Sequence, residues 1–262
     1  MVAVPGSGWT GDLATRRTPV AGSAEDVVSL AASAKTLDEL SARVTVCRAC
    51  PRLVAWREEV ARTGRAAYAG QSYWGRPVAG FGPADARLAI VGLAPAAHGG
   101  NRTGRVFTGD RSGDWLFASL HRNGFARLPI SVDADDGQEL VDARMLAAVR
   151  CAPPANVPTT AERDACRPWL ERELALLSPR LRVVVALGGF AWSVVWPVLA
   201  NLGYTQPRPR PKFGHLVEVV TAEGLLVLAS FHPSQQNTFT GRLTEPMLDA
   251  VFARTAAHLS GT

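Results

Sequence analysis

"VVVALGGFAWSVVWPVLANL", residues 183–202, runs for twenty residues without a charge, which is the length of a bilayer-spanning helix. Its internal punctuation argues otherwise. Gly188-Gly189 cuts the run directly after the β-branched "RVVVAL", and Pro197 stands in its second half. The stretch therefore reads as a buried strand, a tight turn and a buried helix. The same alternation continues on both sides of it. "RLAIVGLAP" (87–95), "ARMLAAVR" (143–150), "LVEVV" (216–220) and "LLVLASF" (225–231) read as strands. "DWLFASLHRN" (114–123), "TTAERDACRPWLERELALLS" (159–178) and the segment after Thr244 read as helices, the second opened by a capping box of Thr159 and Glu162. Continuous apolar strands separated by helices imply a parallel sheet covered on both faces. The predicted fold is a three-layer α/β/α sandwich with a central, mostly parallel sheet.

Ahead of this core, residues 1–30 are rich in Gly, Pro, Ser and Thr and lack sustained periodicity, which predicts an irregular tail or wrap. Residues 31–262 are then expected to form a single domain. Thr36 and Glu39 stand at capping-box spacing before "LSARVTV", and Pro51 opens "PRLVAWREEVART", so two helices should flank the first cysteines. A long loop is expected over 64–83, which holds five glycines.

With 262 residues, 47% of them apolar, the chain can fill a sizeable core. A formal charge of +5 permits polyanion binding without demanding it. Lys35 and Lys212 are the only lysines, so the cations are almost all guanidinium groups, which fits a coding bias toward Arg as well as phosphate recognition, where the guanidinium fork is favoured. No basic start followed by a long apolar core marks a secretion signal, and the expected location is cytoplasmic, associated with the nucleoid.

The four cysteines are Cys47 and Cys50, on one tight turn, and Cys151 and Cys166, which flank the loop between a strand and its helix. Without a secretion signal they favour a metal site over disulfides. Zinc, an iron-sulfur cluster and unrelated buried cysteines are all open on spacing alone. The second pair is wider than zinc sites usually show, whereas a 4Fe-4S cluster accepts thiolates at varied spacing.

Ligands of a parallel sheet bind at the carboxyl ends of its strands. By that rule "GLAPAAHGG", "CAPPAN" and "HPSQQN" should face one crevice. Together with "GRVFTGDRSG", "ACRPWL" and "VVVALGGFA", these motifs resemble the uracil-DNA glycosylase superfamily, and within it the family 5, or type B, enzymes. The resemblance covers residues 42–259. It implies a DNA repair enzyme that flips a damaged nucleotide out of the duplex and hydrolyses the bond between base and deoxyribose. It also implies a 4Fe-4S cluster on Cys47, Cys50, Cys151 and Cys166.

In that resemblance His232 is the donor to the departing base, Phe107 the aromatic that stacks on it, and Asp110 the candidate activator of water. Asp110 is equally placed to cap the following helix. Asn237 matches an active-site position. Ser234, Gln235, Gln236 and Phe239 fall in the segment that enters the minor groove, with Gln235 and Phe239 as candidate wedges and Arg242 as a further DNA contact. The amides of "GGNRTG" could hold phosphate or base, and His98 is a further candidate contact.

Two departures stand out. Several relatives place Asp, Glu or Asn where this chain has Leu93 and Ala94, so no side chain there can polarise water. Strict uracil enzymes of a related family carry Asn where this chain has Ala147. That change implies a roomier, less selective pocket that takes hypoxanthine as well as uracil, with Asn156 as a candidate to share the base or water contact. Rival readings are a strict family 4-like uracil enzyme, a non-catalytic iron-sulfur protein that binds nucleic acid, and a nucleoside hydrolase. A monomer suits the flipping mechanism.

Overall fold

The computed structural model describes residues 2–261. In chain order the elements are α1 (Ala24–Ser33), α2 (Leu37–Thr45), α3 (Pro51–Thr63), β1 (Leu88–Gly92), α4 (Gly100–Thr103), α5 (Arg111–Arg122), β2 (Ala143–Ala147), α6 (Thr160–Leu177), β3 (Val183–Leu187), α7 (Gly188–Asn201), β4 (Glu218–Val220), β5 (Leu226–Ser230), α8 (Gln235–Phe239) and α9 (Glu245–Ser260). The strands form one sheet in the order β2-β1-β3-β5-β4. All neighbours are parallel except β4, which pairs antiparallel with β5 at the edge. The predicted three-layer sandwich is present.

Every residue of β1, β2, β3 and β5 is buried, as parallel strands covered on both faces require, and the charge that β2 carries, Arg144, is paired with Glu173 of α6 at 2.7 Å. Alternate side chains go to opposite faces. Ala89, Val91, Leu146, Val184, Ala186, Val227 and Ala229 join the core under α1, α2, α6 and α7. Leu88, Ile90, Met145, Val185, Leu187, Leu226 and Leu228 join the core under α5 and α9. The charge-free stretch 183–202 divides into β3 and a helix with seven buried side chains. Among the described residues no helix is long and apolar enough to cross a membrane.

The expected caps form. Thr159 and Glu162 make a reciprocal capping box on α6. Thr36 caps α2, but Glu39 turns back to the amide of Lys35 instead, at 2.8 Å. The N-terminal segment is an irregular wrap only as far as Gly22. The division expected at residue 30 falls inside α1, which Ser23 and Asp26 start as a capping box. The wrap itself is tied down: the Ala3 amide donates to the Trp74 carbonyl at 3.0 Å, Trp9 Nε1 donates to the Thr103 carbonyl at 3.1 Å, and Asp12 makes a buried ion pair of 2.6 Å with Arg76. The polar stretch after β5 is likewise more than a loop, because residues 235–239 close a short helix.

Candidate active site

His232 stands two residues beyond β5, next to Phe231, which packs against the core under α5 and α9. The Phe107 ring lies against His232, with centroids 5.8 Å apart and planes tilted by 32°. The same ring covers the end of β1, where a β-carbon on Gly92 would stand 2.5 Å from Phe107 Cζ. Glycine is required there so that the aromatic can approach the backbone. Gly92 is paired in register with Ala147 of β2, so both point to one face, and Ala147 is buried beside the cluster that Phe107 joins. Phe107 reaches this place with a left-handed φ of 51°, a conformation that costs a non-glycine residue on the order of 1 kcal/mol or more. Such strain is held where packing over-determines it.

Asp110 follows three residues later as the N-cap of α5. Its Oδ1 accepts from the amides of Ser112 at 2.9 Å and Gly113 at 3.1 Å. Its Oδ2 is turned to the loop after β1, where a β-carbon on Gly99 would meet it at 2.0 Å. Both readings of Asp110 are therefore compatible: one oxygen caps the helix and the other faces the pocket loop. Arg102 ties the two walls together, donating to the carbonyls of His98 and Gly109 at 2.9 and 3.0 Å. The His98 ring is engaged with Tyr73, whose hydroxyl is 2.9 Å from Nδ1, and it stacks near Tyr68.

Beyond His232, Asn237 Nδ2 donates to the His232 carbonyl at 2.8 Å. Asn237 thus holds the histidine's backbone. Ser234 is half-buried, whereas Gln235 and Gln236 are exposed on α8. Phe239 is 68% exposed, more than the other exposed large apolar side chains, and Arg111 lies over its ring at 5.5 Å. Arg242 lies over Phe231 at 4.7 Å. Two expected members stand apart. Ala94 packs toward the core of the opposite face. Asn156 is exposed in a left-handed turn, and no contact joins it to His232, Phe107 or Asp110; its neighbour Val157 is instead tied by its carbonyl to Arg52. The single crevice expected from three loops is thus built chiefly from two.

The third loop belongs to the cysteines. Cys47, Cys50, Cys151 and Cys166 line one cavity with Arg57 and Trp169, and all four are free thiols. Among the described residues, no three His, Cys, Asp or Glu side chains converge as ligands of a single ion do. Burial pushes the thiols of Cys47, Cys50 and Cys166 up, Cys50 to about 12, and the Cys151 sulfur beside them pushes in the same direction. Arg57 is 1% exposed and has no carboxylate partner among the described residues; its Nη1 donates to Cys151 Sγ at 2.8 Å and its Nη2 to the Cys47 carbonyl at 3.0 Å. The Arg57 carbonyl in turn accepts from Asn101 Nδ2 at 3.2 Å, which joins α3 to α4 of the pocket loop.

A family model described as the uracil DNA glycosylase superfamily matches residues 79–256. A Mycobacterium tuberculosis protein named type-5 uracil-DNA glycosylase is 56% identical over 257 residues, covering 98% of this chain and 94% of that protein. Proteins of the same name from Thermus thermophilus and Pyrobaculum aerophilum are 50% and 48% identical, covering 83% and 84% of this chain and 95% and 92% of their own length. The chain belongs to the uracil-DNA glycosylase superfamily. The resemblance drawn from the motifs is borne out, together with the α/β fold it implied.

In this superfamily member the pocket's electrostatics fix the form of its histidine. Burial pushes the His232 imidazole down to about 4 from its ordinary 6.5. It is therefore neutral at pH 7 and carries one ring N–H. Burial also raises the Asp110 carboxyl, partly offset by the amides of Gly113 and Ser112. The signs can be followed through. The unfolded chain protonates this histidine before the folded one does, so its contribution to stability is full above about pH 6.5 and is lost as pH falls toward 4. A pH–activity profile should accordingly show no inflection near 6.5, and its acidic limb should shift in Asp110→Asn. An inflection at 6.5 that vanishes in His232→Gln would contradict a neutral histidine.

Sequence reasoning missed Arg57 and Arg111. The signal for Arg57 was available, since it falls on the stripe Leu53, Val54, Val60 and Ala61 that α3 buries. A charge on an apolar stripe calls for an anionic partner.

Proposed function

We propose that this protein excises uracil from DNA by hydrolysis of the bond between base and deoxyribose, and that its pocket also accepts hypoxanthine. The observation that carries the reading is the neutral, half-buried His232 facing the Phe107 ring at the carboxyl edge of the sheet, beside the carboxylate of Asp110. The named relatives act on uracil in DNA, and the pocket chemistry suits that substrate. A flipped base stacks on Phe107. As its bond to C1′ breaks, the electron pair goes to the base, and the His232 N–H donates to the carbonyl oxygen on which negative charge gathers. A donor of this kind, fixed and shielded from water, contributes about 3 to 4 kcal/mol to lowering the barrier. Asp110 Oδ2 orients a water toward C1′ and takes up its proton as the new C–O bond forms; the departing base anion is protonated from solvent. Leu93 and Ala94 offer no polar atom for that task.

The Phe239 ring on exposed α8 supports insertion into the gap left by the flipped nucleotide, with Arg111 over that ring, and Arg242 over Phe231, to meet phosphates. Asn237 serves by holding His232. Broader specificity rests on Ala147, because a small apolar side chain beside Phe107 leaves no amide to reject a purine edge. Single-turnover assays on oligonucleotides with one uracil or one hypoxanthine test this. Wild type should release both bases, and Ala147→Asn should lose hypoxanthine release by tenfold or more relative to uracil. Release of uracil alone by wild type would remove the broad-pocket reading.

We further propose that Cys47, Cys50, Cys151 and Cys166 hold a 4Fe-4S cluster. The donor set is four thiols around one cavity, and the buried Arg57 guanidinium, which lacks a carboxylate, finds its anionic partner in thiolate sulfur. When bound, the cluster supplies a fourfold link between the N-terminal helices and the sheet. Its four protein ligands leave catalysis to the pocket on the other face.

A further inference from the structure

The Pro-rich segment between α7 and β4 has no part in the base pocket, yet its course leads to the pocket's rim. It starts at the far edge of the sheet, where the Thr205 amide and hydroxyl donate to the Glu223 carboxylate in the turn between β4 and β5, at distances of 2.6–3.1 Å. It then climbs along α7. Trp192, in the first turns of that helix, donates from Nε1 to the Pro211 carbonyl at 3.0 Å. At the top Phe213 lies over Gly189, and the rings of Phe213 and His215 stand 6.0 and 5.2 Å from Phe231. The Phe231 amide donates to His215 Nδ1 at 3.2 Å, and the next residue is His232.

Pro207, Pro209 and Pro211 alternate with Arg208, Arg210 and Lys212 along this climb. All three cations are exposed, and none takes part in an ion pair or ring contact among the described residues. Elsewhere in the chain arginines pair freely with acids, as Arg122 does with Asp249 and Arg254 with Glu218. Glu223, an acid near this segment, is occupied by Thr205. Three unpaired cations on a proline-stiffened strap lose little conformational freedom on meeting a polyanion. The strap ends with Phe213 and His215 against Phe231, the residue before His232, so its last cation, Lys212, stands directly ahead of the segment that meets the base donor.

We infer that Arg208, Arg210 and Lys212 form a phosphate-binding strap that holds the DNA backbone flanking the flipped nucleotide. The inference rests on the DNA reading above and adds to it a second, base-independent contact. Each phosphate neutralised releases counterions, so the log of affinity falls with the log of salt by about 0.9 per contact.

The test measures binding of a uracil-containing duplex across a salt series, alongside single-turnover release of uracil at saturating protein. R208Q/R210Q/K212Q should lower the salt slope by about 2 to 3, in steps of about 0.9 for the single variants, while release at saturation stays within about twofold of wild type. R180Q, an exposed cation just ahead of the amino end of β3, should leave the slope unchanged. A wild-type slope in the triple variant overturns the strap, whether or not base is released. A wild type that binds but frees no base overturns the pocket reading alone, and the slope difference still decides the strap.

Discussion

His232→Ala should slow single-turnover release of uracil by about 10²- to 10³-fold while leaving affinity for uracil-containing duplex within a few-fold of wild type. The asymmetry follows from where the side chain sits. His232 is half-buried behind the exposed α8 segment and faces the Phe107 ring, so in the proposed mechanism it meets the extruded base and not the phosphate backbone. Its ring is neutral, so its removal takes away no charge that could steer DNA. What disappears is a donor fixed in a dry site toward an oxygen that becomes negative only as the bond breaks. His232→Gln, which keeps a donor of different reach, should recover part of the loss. A rate within threefold of wild type for His232→Ala would remove the histidine from the chemistry.

The second large effect is on stability. Cys47→Ala should sharply lower the yield of folded protein, and the surviving fraction should melt on the order of 10 °C lower, yet release base per folded molecule at close to the wild-type rate. If the proposed cluster is present, loss of one thiolate ligand costs several kcal/mol at a site whose assembly is part of folding, and each kcal/mol shifts the melting temperature of a chain this size by about 2 to 4 °C. The cavity ties α2 and α3 to the segment after β2 and to α6, so the loss loosens four segments at once. Arg57 sharpens the case. Without an anion beside it, a buried guanidinium is a liability of several kcal/mol, so Arg57→Met should be better tolerated in Cys151→Ala than in wild type. The wild-type preparation should be brown, with visible absorbance that Cys47→Ala lacks. Normal stability with lost activity in Cys47→Ala would instead make the cysteine site part of the reaction.

What could be read from the chain depended on how local the cause was. The strands were legible because β1, β3 and β5 are charge-free apolar runs and β2 departs from that pattern only at Arg144, and both faces of a parallel strand must be buried. Thr159 with Glu162 declared the start of α6 in the same direct way. The start of α1 was also written locally, but with Asp26 in place of the usual Glu inside a Gly- and Ser-rich stretch, and composition hid it. Long-range pairings left no such mark. The ion pair of Asp12 and Arg76 spans 64 residues, and the contact of Arg57 with Cys151 spans 94.

The motifs brought His232, Phe107 and Asp110 to one place, because all three follow or flank the carboxyl ends of central strands. Motif membership did not settle side-chain direction. Ala94 turns to the other core, and Asn156 sits on an exposed turn beside the cysteine loop. Asn237 spends its amide on the His232 carbonyl, a role that only the closure of α8 reveals. Phe239 was legible as an exposed aromatic in a polar segment, whereas Arg111 over its ring depended on α5 and α8 meeting in space.

The central claim is that the pocket at the carboxyl edge of the sheet frees a base from DNA. The most direct measurement incubates the wild-type protein with a duplex carrying a single labelled uracil and counts free uracil against abasic sites, with deoxyuridine in a parallel reaction. The account predicts one free uracil for each abasic site and no release from deoxyuridine. Stable retention of the duplex with no free base, or hydrolysis of deoxyuridine at a comparable rate, would contradict it.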